Sequence, residues 1–285
     1  MISYFQSIVI GLIQGVTELF PISSLGHSVL VPAWLGWDNV VNAQHAKESF
    51  YLAYLVGLHV ATAFALLLFF REDWVRILRG FFRSIGQRKI ETSDERLAWL
   101  LVLGTIPVGV LGLLFEHSLR TLFAKPVAAA IFLTINGFIL LGGEQVRRRS
   151  EQRESHRALD RLEYKESVAV GFFQSLALFA GISRSGITMV GGLLRGLDHE
   201  DAARFAFLLA TPIILAAGVY KLPDLVGPNS AGIRGQILAG SLVAAVASYV
   251  SVKFLVRYFS SRNLSPFGVY CLIAGAVSII RFTAF

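Results

Sequence analysis

Apolar and polar positions in this chain fall into blocks rather than alternating. Five apolar runs, 49–70, 97–115, 126–143, 235–256 and 263–284, reach or approach the roughly 20 residues a helix needs to cross the hydrocarbon core. A sixth, 205–220, is shorter, and its apolar neighbours extend it. Pro107 and Pro212 lie inside predicted spans, where neighbouring helices can satisfy the freed backbone groups.

Two further apolar stretches are interrupted at their centres. Residues 1–37 carry Glu18 and His27, with Pro21, Ser23, Ser24 and Gly26 in the middle. Residues 167–197 carry Arg184 amid Gly181, Ser183, Ser185 and Gly186. Each pattern predicts a re-entrant helix–loop–helix rather than one clean span. The fold class that follows is all-α: a polytopic integral membrane protein with about six transmembrane helices and two re-entrant hairpins.

Composition agrees. Of the 285 residues, 54% are hydrophobic and 16% charged, against about 25% charged in an average soluble domain. That excludes a disordered chain or a small disulfide scaffold and makes a soluble enzyme a poor fit. Cys271 is the only cysteine, so there is neither an internal disulfide nor a cysteine metal cage. The first ten residues hold no Lys or Arg, so the N-terminus reads as part of the mature fold rather than a signal peptide.

The charges decide orientation. Residues 71–96 and 144–166 together hold 25 of the 45 charged side chains, and each segment has seven basic residues. The net charge of +7 is therefore a property of loops between apolar runs, which argues against nucleic acid as a partner. Arg147, Arg148 and Arg149 belong to this topogenic, lipid-facing set. The positive-inside rule places both loops in the cytoplasm. The 1–37 hairpin then enters from outside and the 167–197 hairpin from inside. Arg257 and Arg262 fall inside as well, and both termini come out external.

The interrupted stretches are related. At an offset of 160, residues 11–30 and 171–190 share Gly11/Gly171, Gln14/Gln174, Ile22/Ile182, Ser23/Ser183 and Gly26/Gly186. With opposed entry, this predicts an inverted-topology repeat whose breaks meet near the midplane. The chain reads as one membrane domain over 1–285, with repeats of approximately 1–143 and 167–285 joined by the basic loop 144–166.

Ionisable groups inside a membrane are costly, and so are candidates for function. Gln14 and Glu18 share a helical face, as do Ser24 and His27 if Ser24 opens a half-helix, and Arg184 and Thr188. A serine before an apolar helical run is a natural N-cap, and the exposed amides of a half-helix N-terminus favour an anion. Two such ends with Arg184 between them would cradle a phosphate. Glu18 has the wrong sign for that, unless it binds a bridging cation or handles protons. Ser185, Gly26 and Gly186 serve equally well as close-packing residues, and His59 reads as a bundle histidine held by hydrogen bonds.

The segment GLIQGVTELFPISSLGHSVL resembles the first signature of the undecaprenyl-diphosphate phosphatase family, the bacitracin-resistance phosphatases, through Gln14, Glu18, Pro21, Ser23, Ser24, Gly26 and His27. FAGISRSGITMVGG is similar to the second, through Gly181, Ser183, Arg184, Ser185, Gly186 and Thr188. Ala180 stands where the family has Pro, and His59, Val60, Ala61 and Thr62 where a His-Leu-Gly-Thr is usual.

The resemblance implies a bacterial plasma-membrane enzyme of cell-wall synthesis. It would hydrolyse undecaprenyl diphosphate to the monophosphate carrier lipid, at a site opening to the external face. The catalytic residues would be Ser24, His27, Glu18 and Arg184. Gln14, Ser23, Ser183, Ser185 and Thr188 would bind substrate. Ser24 would attack with His27, one turn away, as its base; the rivals are attack by His27 itself and direct attack by metal-activated water. A divalent cation, Mg or Ca, would bridge Glu18 and the diphosphate, with Gln14 in support. The expected partners are the lipid substrate and the bilayer, with a homodimer left open.

Two alternatives remain at this point. A transporter or flippase would share the inverted repeat. Acid-phosphatase-type membrane enzymes also pair a Ser-Gly-His with a Ser-Arg element, but they carry a further His about six residues after the Arg, where this chain has Val190.

Overall fold

The computed structural model describes residues 1–45, 50–123, 125–151 and 157–284. Its regular elements among these are helices. The first hairpin is α1 (Tyr4–Thr17) and α2 (Ser24–Trp34), followed by the short α3 (Asp38–His45). Next come α4 (Phe50–Phe69), α5 (Arg71–Gln87), α6 (Ser93–Phe123) and α7 (Pro126–Glu151). The second hairpin is α8 (Tyr164–Ser175) and α9 (Arg184–Leu193). The chain continues through α10 (His199–Tyr220), α11 (Leu222–Val226), α12 (Pro228–Ala231), α13 (Arg234–Phe259) and α14 (Ser265–Ala284). Among the described residues six helices, α4, α6, α7, α10, α13 and α14, are long and apolar enough to cross a membrane. The chain is a polytopic all-α membrane protein. Pro107, buried, and Pro212, half-buried, sit inside continuous α6 and α10, as expected where neighbouring helices satisfy the freed backbone groups.

The charged segments are more helical than their composition suggests. Most of 71–96, expected as a loop, is α5. Its Ile77, Gly80 and Ser84 are buried while Arg79 and Arg83 are exposed. Exposed Val75, Leu78, Phe82 and Ile85 give it the apolar side of a helix lying at an interface. The segment 116–125 is helical up to Phe123, and α7 carries the start of 144–166 as far as Glu151. Arg153, within 144–166, lies outside the described residues. Long apolar runs mark where a helix must be buried but not where its polar extension ends, so the spans were legible and their ends were not.

Contact registers give the directions of the helices. Gly11 of α1 packs on Gly240 of α13, and Gly15 on Ala244, so the two run parallel. Tyr54 of α4 also reaches Gly240, and Ser248 donates to Thr62 at 3.2 Å, so α4 is parallel to both. In α8, Ser167 donates to the Leu100 carbonyl of α6 at 2.6 Å and Gly171 packs on Gly104, again in parallel. Gly104 meets Leu209 and Gly109 meets Ile213, so α10 runs with α6. Phe70 against Phe207 and Val60 against Gly218 make α4 and α10 antiparallel. The hairpin arms α1 and α8 therefore run in opposite directions.

The packing is reciprocal. Each hairpin's first arm lies against a span from the other half through a glycine pair, Gly11 with Gly240 and Gly171 with Gly104. A Cβ on Gly11 or Gly171 would collide with the backbone of its partner glycine. That is the small-residue contact that lets membrane helices approach closely.

Candidate active site

The two breaks meet in backbone contact. Ser23 is the N-cap of α2: its Oγ accepts from Gly26 N at 3.2 Å and also from Gly181 N of the other break at 3.2 Å. Ser183 caps α9 by accepting from Gly186 N at 3.1 Å. A Cβ on Gly26 would sit 3.0 Å from Gly181 Cα. Gly181 has φ +115, and a Cβ there would run into the Ala129 carbonyl of α7, so only glycine fits. Ser23 itself has φ 70, a strained conformation for a non-glycine residue. Asn136 of α7, fully buried, fastens the two breaks together. It donates to the Pro21 carbonyl at 3.0 Å and accepts from Ser183 N at 2.9 Å.

This junction forms the polar end of a cavity of about 330 Å³. Ser24 and Arg184, the first helical residues of α2 and α9, both line it, together with Glu18, His59 and Gln174. Its other walls are apolar: Leu52, Leu55 and Val56 at the start of α4, and Ile213, Ala217 and Gly218 towards the end of α10. Lys221 stands at the end of that wall, over the ring of Tyr220 at 5.0 Å.

Glu18 is the hub. It is buried, and its Oε1 is ion-paired with the Arg184 guanidinium. Its Oε2 accepts from Ser24 Oγ and from Gln14 Nε2, the latter at 2.8 Å. His59 Nε2 lies 3.4 Å from the same oxygen. The opposite amide atom, Gln14 Oε1, is buried and has no partner. No group of three or more His, Cys, Asp or Glu converges among the described residues. A cation held here would have to share its coordination with the ligand's own oxygens, and a carboxylate with an unpartnered amide oxygen one helical turn away is compatible with that.

The expected pairing of Ser24 with His27 is not what the structure shows. His27 Nδ1 is 2.8 Å from the Ser23 carbonyl, and Nε2 is 2.7 Å from Tyr270 OH of α14. A carbonyl only accepts, so Nδ1 carries the proton, and Nε2 shares a hydrogen bond with the tyrosine hydroxyl. The His27 ring also stacks on Tyr270 at 5.8 Å. One helical turn separates Ser24 and His27, but α2 directs Ser24 to Glu18 and His27 towards α14. His59 behaves in part as expected, donating from Nδ1 to the Leu55 carbonyl at 2.8 Å. Its other nitrogen faces Glu18 on the cavity wall, so it belongs to the site.

The remaining candidates divide. Ser23 and Ser183 line the cavity while capping their helices. Ser185 is 3.1 Å from Ser183 Oγ and donates to the Phe20 carbonyl at 3.3 Å, stitching α9 to the first break rather than facing the cavity. Thr188 is buried and its Oγ1 has no partner. The residue reading alone missed Asn136, Tyr270 and Gln174. An asparagine inside the run 126–143 was a visible signal, and Gln174 was visible as the repeat mate of Gln14.

A family model described as bacitracin resistance protein BacA matches residues 7–277. The chain belongs to the BacA family. It is 53% identical to a Frankia alni protein named undecaprenyl-diphosphatase 2, over 99% of this chain and 98% of that one. It is 56% and 55% identical to proteins named undecaprenyl-diphosphatase from Mycolicibacterium paratuberculosis and Mycobacterium avium, each over 98% of this chain and 97% of the relative. The BacA match covers both breaks, five of the six spans in full and α14 as far as residue 277, and Ser24, Glu18 and Arg184 lie well within it.

Proposed function

We propose that this BacA-family chain hydrolyses undecaprenyl diphosphate to undecaprenyl phosphate and inorganic phosphate, recycling the carrier lipid for peptidoglycan synthesis and conferring bacitracin resistance. The observation that carries the reading is Ser24 Oγ held on Glu18 in a cavity that also contains Arg184. A hydroxyl poised on a carboxylate beside a guanidinium is machinery for phosphoryl transfer. Transport does not require it.

In this mechanism the diphosphate enters the polar end and draws Arg184 onto its terminal oxygens, with the first turns of α2 and α9 facing the same anion. Freed of its counter-ion, Glu18 accepts the Ser24 proton as Oγ bonds to the terminal phosphorus. The bond from that phosphorus to the bridging oxygen breaks, and undecaprenyl phosphate leaves. Water then attacks the phosphoserine, giving up a proton to the Glu18–His59 pair. The Ser24 Oγ–phosphorus bond breaks, Oγ regains its proton from Glu18, and phosphate departs with the proton that water had left on His59. Arg184 carries the charge on the equatorial oxygens through both steps. His27 is a positioning residue that holds the Ser23 carbonyl, and thereby the turn on which Ser24 sits. If a divalent cation, Mg or Ca, is used, Glu18 would hold it with Gln14 in support, and it would supply neutralisation of the phosphate charge.

The cavity walls at the start of α4 and the end of α10 are remote from the basic segments. Under the positive-inside rule this supports a site opening to the external face of the plasma membrane. The opposed hairpin arms likewise support inverted repeats of approximately 1–143 and 167–285. The cavity is of the size that takes a drug-sized ligand, so it accommodates the head of the lipid while most of the chain stays in the bilayer. Phosphate release from undecaprenyl diphosphate by purified protein tests the assignment. Ser24→Ala is expected to lower turnover by two or more orders of magnitude. Near-normal turnover in Ser24→Ala removes Ser24 as nucleophile.

A further inference from the structure

Gln174 and Gln14 are repeat mates, and both are buried, but they are used differently. Gln14 gives its amide to Glu18, four residues on. Four residues after Gln174 stands Leu178, which has nothing to offer. Neither Nε2 nor Oε1 of Gln174 has a hydrogen-bond partner, although its exposure is 0%. Buried side-chain amides are almost always paired, so one that is not needs a reason. Gln174 lies one residue before α8 ends and lines the cavity that holds Glu18, Ser24, His59 and Arg184.

We propose that Gln174 is a substrate-binding residue whose Nε2 donates to a non-bridging oxygen of the diphosphate. The inference rests on the phosphatase reading of the cavity. A diphosphate offers acceptors only, and among the described residues the cations lining the cavity are Arg184, which is shared with Glu18, and Lys221 at the end of the α10 wall. A neutral amide adds a donor without adding a second counter-ion for Glu18. The pseudo-symmetry explains how the chain comes to supply it. The first hairpin fills the site with a carboxylate that engages its glutamine, and the second leaves its glutamine unpaired at the cavity wall. The bond would form in the ground-state complex and persist through transfer, so its loss should raise KM and leave kcat nearly unchanged.

The test compares purified full-length protein with Gln174→Met and Gln174→Glu, using undecaprenyl diphosphate and recording KM, kcat and Tm. Gln174→Met keeps length and removes both polar atoms. Its expected result is KM raised about tenfold, the loss of roughly one hydrogen bond, with kcat within about twofold and Tm equal or higher, because a dry amide has been removed. Gln174→Glu keeps the shape and sets a negative charge against the phosphates, so its KM should rise further. An unchanged KM in Gln174→Met overturns the proposal, as does a fall in kcat and Tm at constant KM, which marks a packing role. Should Gln174→Met fold poorly, Gln174→Glu decides alone: a KM within about twofold of the parent overturns the proposal. Ser24→Ala assayed alongside separates the two levels. If it stays active, the reading of the cavity has failed. If it is dead while both Gln174 variants bind normally, only the role of Gln174 has failed.

Discussion

Arg184 of the second hairpin is ion-paired with Glu18 of the first, 166 residues earlier in the chain. The pair welds the two breaks electrostatically, yet both side chains line the cavity that substrate must enter. Removing Arg184 leaves the buried Glu18 carboxylate without its guanidinium, and removing Glu18 leaves Arg184 without its counter-ion; breaking a buried pair in this way typically costs about 3–5 kcal/mol. Arg184→Ala and Glu18→Gln should each lower the melting temperature in detergent and reduce turnover by orders of magnitude. The double variant Glu18→Gln/Arg184→Met should regain most of the stability and none of the activity, since an apolar replacement of a buried pair is often neutral. If the double variant melts as low as the singles, the pair is not the weld. If it recovers activity, neither charge serves the reaction.

Much of the site was legible because membrane interiors make polar residues conspicuous. Glu18, Ser24 and Arg184 stood out against apolar surroundings, and the repeat relation brought Ser23 and Ser183 together before any contact was known. Partner choice was not legible. A helical wheel places Ser24 and His27 one turn apart, but whether they meet depends on what lies across from each. Glu18 faces one and Tyr270 the other, and Tyr270 arrives from α14, 243 residues away. Asn136 reaches the breaks from α7 in the same manner. Segments 71–96 and 144–166 were identified as basic, but α5 and the extension of α7 depend on packing that a charge count does not contain.

Cation dependence follows from the donor set. Glu18 and Gln14 Oε1 are too few to hold a divalent ion tightly by themselves, so affinity should be weak without substrate and strong with it. Exhaustive chelation should abolish phosphate release, and Mg or Ca should restore it. Gln14→Leu should raise the cation concentration for half-maximal activity by about tenfold while Ser24 remains competent. Calorimetry should detect cation binding only in the presence of a non-hydrolysable diphosphate analogue. Full activity after chelation would leave Glu18 with proton handling alone.

The two histidines should separate by step. His59 faces Glu18 across 3.4 Å on the cavity wall, where water attacking a phosphoserine would arrive. His27 is engaged on both nitrogens, by the Ser23 carbonyl and by Tyr270. Substrate labelled in its terminal phosphate, quenched early, should give little labelled protein in the parent because the intermediate turns over. His59→Gln should slow the second step more than the first, so labelled Ser24 should accumulate while phosphate release falls about tenfold or more. Ser24→Ala in the same background should carry no label. His27→Ala removes a donor to the backbone at a strained residue, so both labelling and release should fall together, with a lower melting temperature. His27→Asn, which keeps a short side-chain donor, should recover a measurable part of both. If His27→Asn is as inactive as His27→Ala while His59→Gln turns over normally, then His27 is the base and the cavity must rearrange to bring it to Ser24.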